Sequence, residues 1–419
     1  MNKAPKKESI GRRHRYFLLF FGYLLVYHIV VVNHLQSWQL NPVTYSLYCV
    51  DFSFGFASKL LPGAVFHLLF GKFASQTAAN IYAVVLILLF FLGLSLLLEK
   101  FMLRMPEQHR GKALFLLLFL LSGAYTFAIY TKWLGIYDGH WLLVALAYFV
   151  CLENKYLRFF IPALFAVSLF IHFAALVFVL PMFSILLLYR ASIMEEKNEK
   201  RAIIVIFVLC MLCAAATFAI LSLNESRMVC SIEEFHQKLG ERGTDYYTFW
   251  DYAFFHLWGG EQFLPDAVLQ MKPSLMKFVY LFYYQIKMNY GIFVQNPSRA
   301  LLTTLGGTVV LCPVVWFFLR FHFSRFRAQK DRFKRFCTLL MIVQFPFVYI
   351  LGILLGDSLD MTRYLTHGFL AMFTCVLCVL YHEKSSTELF FEQAGKRNSL
   401  ALKIYFLAYA ALTLMPTIH

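Results

Sequence analysis

Runs of roughly 17–25 apolar residues recur from one end of this sequence to the other, and that repetition constrains the fold more than any motif. A helix of that length crosses about 30 Å of hydrocarbon. Only helices and closed barrels satisfy their backbone hydrogen bonds there. Composition agrees: 60% of the 419 residues are hydrophobic, 15% are charged, and mean hydropathy is +0.64. A soluble globule carries about 45–50% apolar and about 25% charged residues. The expected fold is all-α: a polytopic transmembrane helical protein of about 11 spans, forming one integral membrane domain over 1–419.

A net charge of +15 could suggest nucleic acid. Its distribution points elsewhere, because the basic residues gather in short loops on alternate sides of the expected spans. No nucleic-acid partner is expected; the partner is membrane lipid. The start, "MNKAPKKESIGRRHR", is basic and runs into a long apolar segment without a small-residue cleavage site. It reads as a retained first span with a cytoplasmic N-terminus, and the count of spans then places the C-terminus outside.

The expected spans are 16–33, 76–98, 113–133, 141–152, two within 159–190, then 202–222, 300–319, 336–355, 365–382 and 399–416. The run 159–190 is too long for one crossing and would carry Arg190, Lys197, Lys200 and Arg201 outside. A break near His172 makes two short spans and returns those charges to the cytoplasm. External segments are 34–75, with the amphipathic "SKLLPGAVFHLLFGKF", and the large loop 223–298. In that loop, "MKFVYLFYYQIKMNYGIF" is expected to lie in the interface plane. "EKFMLRMPEQHRGK" and "RFHFSRFRAQKDRFKR" are expected as basic cytoplasmic loops.

The nine cysteines carry little chemistry. Cys210/Cys213 and Cys375/Cys378 have C-x-x-C spacing, yet each pair lies in an apolar run without a His or Cys partner nearby, which suits packing. Cys49 and Cys230 both fall in expected external segments and could pair in an oxidising exterior.

Ionisable residues at a membrane edge are costly and are therefore functional candidates. Nearly all of them fall on the expected external face: Asp51 and Lys59, then Lys132, Asp138 and His140, His172, the 223–266 loop with Arg227, His236 and Arg242, and "GDSLDMTRY" with Asp357, Asp360 and Arg363. Each has a plainer explanation. Asp51 and Asp138 could cap helices, Lys132 could snorkel, and His172 could bond to backbone in a core. Asp357, Asp360, Arg363 and His367 share one helical face and could form a structural ion pair. No Walker loop, H-E-x-x-H, dinucleotide fingerprint or selectivity-filter pattern occurs, which argues against soluble nucleotide chemistry and zinc proteolysis.

The fragments "VDFSFGFASKLLPG", "YTKWLGIYDGHWLLVALAYF" and "FAVSLFIHFAALVFVLP" occur in an order that resembles bacterial polytopic glycosyltransferases of the GT-C class. The third also resembles exopolysaccharide polymerases of the EpsG type. The resemblance is architectural and covers roughly 1–190, with a single Asp51 where the GT-C enzymes often carry an acid pair. It implies a bacterial cell-membrane glycosyltransferase of envelope polysaccharide biosynthesis. Such an enzyme transfers a sugar or glycan from a polyprenyl-phosphate-linked donor to a glycan acceptor at the external face, and a divalent metal is the one cofactor it would admit. On that chemistry Asp51 and Asp138 are the catalytic carboxylates, with Lys59, His140, His172, Arg227, His236, Arg242, Asp360 and Arg363 binding substrate. The alternative from another class is a transporter or flippase of a lipid-linked or anionic solute, which would show inverted repeats and ionisable residues near span centres.

Overall fold

The fold comes from a computed structural model. It describes residues 14–33, 38–56, 58–73, 75–123, 127, 130–131, 134–225, 232–244, 297–355, 361–395 and 405, with scattered positions between 267 and 294. Every regular element among the described residues is helical. In chain order these are α1 (Arg15–Val26, continued by a π-helical turn Tyr27–Val32), α2 (Pro42–Ser46), a 3-10 turn (Phe52–Phe54) and α3 (Leu61–Phe70). Then come α4 (Gln76–Arg104), α5 (Glu107–Leu121), α6 (Asp138–Glu153), α7 (Ile161–Ile171), α8 (Ala175–Phe178), α9 (Leu180–Ile193) and α10 (Lys197–Glu225). The last are α11 (Ile232–Glu241), α12 (Pro297–Ala328), α13 (Arg332–Leu355), α14 (Met361–His382) and α15 (Lys384–Gly395).

Among the described residues, seven helical stretches are long and apolar enough to cross a membrane: Arg15–Val32, Gln76–Arg104, Ala175–Ile193, Lys197–Leu221, Leu305–Ala328, Arg332–Gly352 and Arg363–His382. Helices α5 and α6, expected as spans, have only 15 and 16 residues. The stretch Arg158–Ile171 is also apolar and short. The expected span 399–416 lies outside the described residues apart from Tyr405. Large apolar side chains face outward on these helices, among them Leu89, Val205, Leu212 and Ile350. That exposure suits hydrocarbon as the surrounding solvent, where apolar surface costs nothing.

Two expected basic loops are mostly helix. Helix α4 runs through Arg104 and α5 begins at Glu107. Helix α12 runs to Ala328, and α13 starts at Arg332. A helix need not stop where the hydrocarbon stops, so charged residues such as Lys100, Arg104 and Arg325 sit on helical extensions. At 29 residues, α4 is roughly 43 Å long, well beyond the hydrocarbon thickness.

The break near His172 is present. Helix α7 ends at Ile171, His172 is extended (φ −169°, ψ 138°), and α8 starts at Ala175. A helix end leaves carbonyls without partners. Here Ser58 Oγ donates to Leu169 O (3.0 Å), Lys59 N–H to Phe170 O (3.1 Å) and Trp141 Nε1–H to Ser168 O (3.1 Å). His172 Nδ1 accepts the Ala174 N–H at 2.9 Å, which steadies the corner. Lys59 takes φ +75° to reach this position, a costly conformation for a residue with a Cβ. The Ser58–Lys59 segment and Trp141 of α6 therefore satisfy the open helix end at the break.

Helix α4 packs on α1 and α6, α6 on α7, and α7 on α10; α9 joins α10, α13 and α14, while α12, α13 and α14 pack on one another. Helix α15 lies across α12 and α14. Helix α3 is short and carries exposed Leu68 and Leu69. Its N-terminal turn meets the chain before the 3-10 turn so closely that a Cβ at Gly63 would overlap the Val50 carbonyl oxygen. That approach sets the position of His67, one turn further along the same face.

Candidate functional site

Two buried ionic clusters form at the end of the bundle where α3, α6, α7 and α14 meet. The first is built on Asp51. Its Oδ1 accepts the Ser53 N–H (2.8 Å) and hydroxyl (2.5 Å), so it caps the 3-10 turn Phe52–Phe54. Its Oδ2 receives His67 Nδ1–H at 2.7 Å. Arg242, after α11, approaches both oxygens at 3.3 and 3.4 Å and donates to Ser53 Oγ and Cys49 O at 2.8 Å each. The guanidinium lies 4.7 Å from the Phe54 ring centroid. Burial alone raises the Asp51 carboxyl. The hydrogen bonds from His67 and Ser53 and the Arg242 charge more than reverse that, holding it well below the usual carboxylate range. A carboxylate held so firmly ionised is a weak proton acceptor.

The second cluster is built on Asp138 at the start of α6, its side chain wholly inaccessible. His367 of α14 donates Nε2–H to Oδ1 at 2.9 Å. Arg363, one turn earlier, donates Nη2–H to Oδ1 at 3.3 Å. Its Nε lies 2.6 Å from Oδ2 with the N–H misaligned, so that contact is Coulombic more than a directed hydrogen bond. With Nε2 protonated, His367 Nδ1 is the acceptor, and the Tyr130 hydroxyl lies 3.4 Å from it. Trp141 and Phe178 pack on the imidazole. An acid fixing a histidine tautomer, with the other nitrogen left to take a proton, is an arrangement suited to general-base chemistry.

Lys59 and His172 stand beside this cluster. His172 lies within electrostatic reach of Lys59, Arg363, Asp138 and His367, and its ring packs edge-on against Tyr137 and Trp141. His140 contacts the Tyr82 hydroxyl through Nε2 at 3.3 Å and packs beside Tyr48. Among the described residues the buried Tyr48 and Tyr137 hydroxyls have no hydrogen-bond partner, and His140 Nδ1 has none beyond the Tyr137 backbone. Buried polar groups left this way signal a site whose partners come from elsewhere.

The structure thus joins Asp51 to Arg242, and Asp138 to Arg363 with Lys59 and His172 nearby. His236 lies on α11 upstream of Arg242. Arg227, Asp360, Asp357, Lys132 and Cys230 fall outside the described residues. Cys49 is buried, its thiol against the Tyr45 and Arg242 carbonyls, and burial pushes it up to about 11. Sequence reasoning did not select His67, Ser53 or Tyr130, and placed His367 on a helical face without a role. Only the shared face of Arg363 and His367 signalled their partnership.

Among the described residues no three His, Cys, Asp or Glu side chains gather to hold a metal. Asp51 and Asp138 each face an arginine and a histidine instead, so the described residues do not fit a metal and no step runs through one.

A cavity of about 450 Å³ starts at this cluster, lined there by Asp138, His367, Tyr130 and Trp141. It continues between α4, α6 and α14 over mostly apolar side chains and ends at Lys100, Glu153, Asn154 and His382. Asp138 is part of its lining and Asp51 is not. Among the described residues the fold is all-helical, with several helices long and apolar enough to cross a membrane and a buried Asp–His–Arg group. Comparison with protein-family models, with curated proteins and with solved structures gave no match.

Proposed function

We propose that this chain is a membrane glycosyltransferase of cell-envelope glycan assembly, using a polyprenyl-phosphate-linked sugar donor at the external face, and that Asp138, His367 and Arg363 form its reaction centre. The observation that carries the reading is the apolar cavity ending on that group: a lipid-linked phosphate needs hydrocarbon for its tail and cations with a base at its head. His367 Nδ1, held in the accepting tautomer by Asp138, takes the proton of the acceptor hydroxyl. The hydroxyl oxygen attacks the anomeric carbon, the bond from that carbon to the phosphate oxygen breaks, and its electron pair leaves with the phosphate. Arg363 and Lys59 stabilise the charge that develops there. The Tyr48 and Tyr137 hydroxyls supply hydrogen bonds for sugar hydroxyls, with His140 beside them. Asp51, Arg242 and His67 hold the first external segment in place. The about eleven spans, the external loops and the cytoplasmic N-terminus belong to this same reading.

The transporter alternative needs a polar path for its cargo. The cavity wall between the two charged ends is apolar, which favours a hydrocarbon occupant. The test follows lipid-linked sugar and glycan product in membranes from cells carrying the wild type, His367→Gln or Asp138→Asn at matched protein level. Product in the wild type and its loss in both variants is expected. Equal product in all three would overturn the reading.

A further inference from the structure

The cavity is longer than one membrane leaflet. Its lining follows α6 from Asp138 to Glu153 and α14 from His367 to His382. At 1.5 Å per residue either path spans about 22 Å. The hydrocarbon of one leaflet is about 15 Å deep, half of the core.

The far end differs from the walls. Glu153 accepts His382 Nε2–H at 3.1 Å, and Arg190 donates to His382 Nδ1 at 3.0 Å. Lys100 and Asn154 complete a charged, exposed rim. Val150 on the wall is 49% exposed, so the cavity meets the surrounding surface on that side. An apolar chain gains by each methylene it hides from water. Once the chain reaches the Glu153–His382–Arg190 rim, further methylenes meet charge and water and gain nothing.

We infer that this cavity binds a long hydrocarbon chain of an anionic lipid, head at the Asp138–His367 end where Arg363 pairs with Asp138, and that the Lys100–Glu153–His382 rim sets the preferred chain length. The inference rests on the lipid-linked substrate proposed above and adds a length rule to it. The occupant is a chain longer than a leaflet's ordinary acyl tail, and its head sits at the Asp138–His367 end, where Arg363 ion-pairs Asp138.

The test measures binding of single-chain alkyl phosphates of about 8 to about 20 carbons to the purified full chain. Affinity should rise about fourfold per added methylene and then level off. Ala145→Trp and Thr374→Phe narrow the cavity partway along and should move the plateau to shorter chains, while Arg363→Gln should weaken all lengths alike. A ladder without a plateau, or a plateau that neither variant moves, would overturn the length rule. Absence of binding at every length would overturn the chain site. A ladder that persists in His367→Gln while glycan product is absent even from the wild type would leave the chain site standing and remove the transferase reading. Product formation without any ladder would do the reverse.

Discussion

Asp138 accepts a 2.9 Å hydrogen bond from His367, although 229 positions separate them along the chain. The pair joins the first turn of α6 to α14, and it turns a helix-start carboxylate into the group that sets a histidine tautomer.

The two carboxylates should separate by kinetics. Asp138→Asn removes the anion that orients His367 and should lower glycan product by about 10²–10⁴-fold, the range for loss of acid–base function. Asp51→Asn at matched folded-protein level should lower it less than about tenfold. The measurement is product formed per mole of folded protein in membranes. The opposite ranking would return the chemistry to Asp51.

Asp51 should also report through pH. Its carboxyl lies below its ordinary value in the folded protein, so its ion pair stabilises above the unfolded carboxyl's pKa of about 4 and is lost as pH falls through the lower folded value. The thermal midpoint of the wild type should exceed that of Asp51→Asn by a constant margin near neutrality. The margin should shrink below about pH 4. A margin that widens in acid would contradict the assignment.

Removing one member of the first cluster should cost more than a surface ion pair. Arg242→Ala leaves a buried carboxylate with only the His67 and Ser53 hydrogen bonds, and about 3 kcal/mol is expected. Denaturation of the purified protein, with Asp51→Ala/Arg242→Ala beside each single variant, gives the coupling. A double variant no less stable than either single one is the expected signature, and strict additivity would refute the pairing.

Gly63→Ala should act on the same cluster from a distance. The new Cβ has the Val50 carbonyl in its way, so α3 must shift and carry His67 from Asp51. A loss of about 1–3 kcal/mol is expected, as for overpacking. Gly71→Ala controls for the substitution itself, since no atom lies within 4 Å of a Cβ there, although φ +85° adds local strain. Equal losses at both positions would deny the close approach its role.

Much of this protein was legible without coordinates. Apolar runs determined the all-helical membrane class, because hydrocarbon leaves the backbone few ways to satisfy itself. The excessive length of 159–190, together with the charges after it, located the break at His172. Charge placed amid apolar sequence marked Asp51, Asp138, Arg242 and Arg363 as candidates. Tertiary structure alone decided which of them meet. Asp51 finds Arg242 across 191 positions and Asp138 finds Arg363 across 225, and no local period encodes such pairings. Helix ends were equally beyond reach at Arg104 and Ala328, because hydropathy records where hydrocarbon ends and not where backbone hydrogen bonding does. His67 is the sharpest case. Its role depends on how closely Gly63 lets α3 approach Val50, a distance that arises only when the two segments pack.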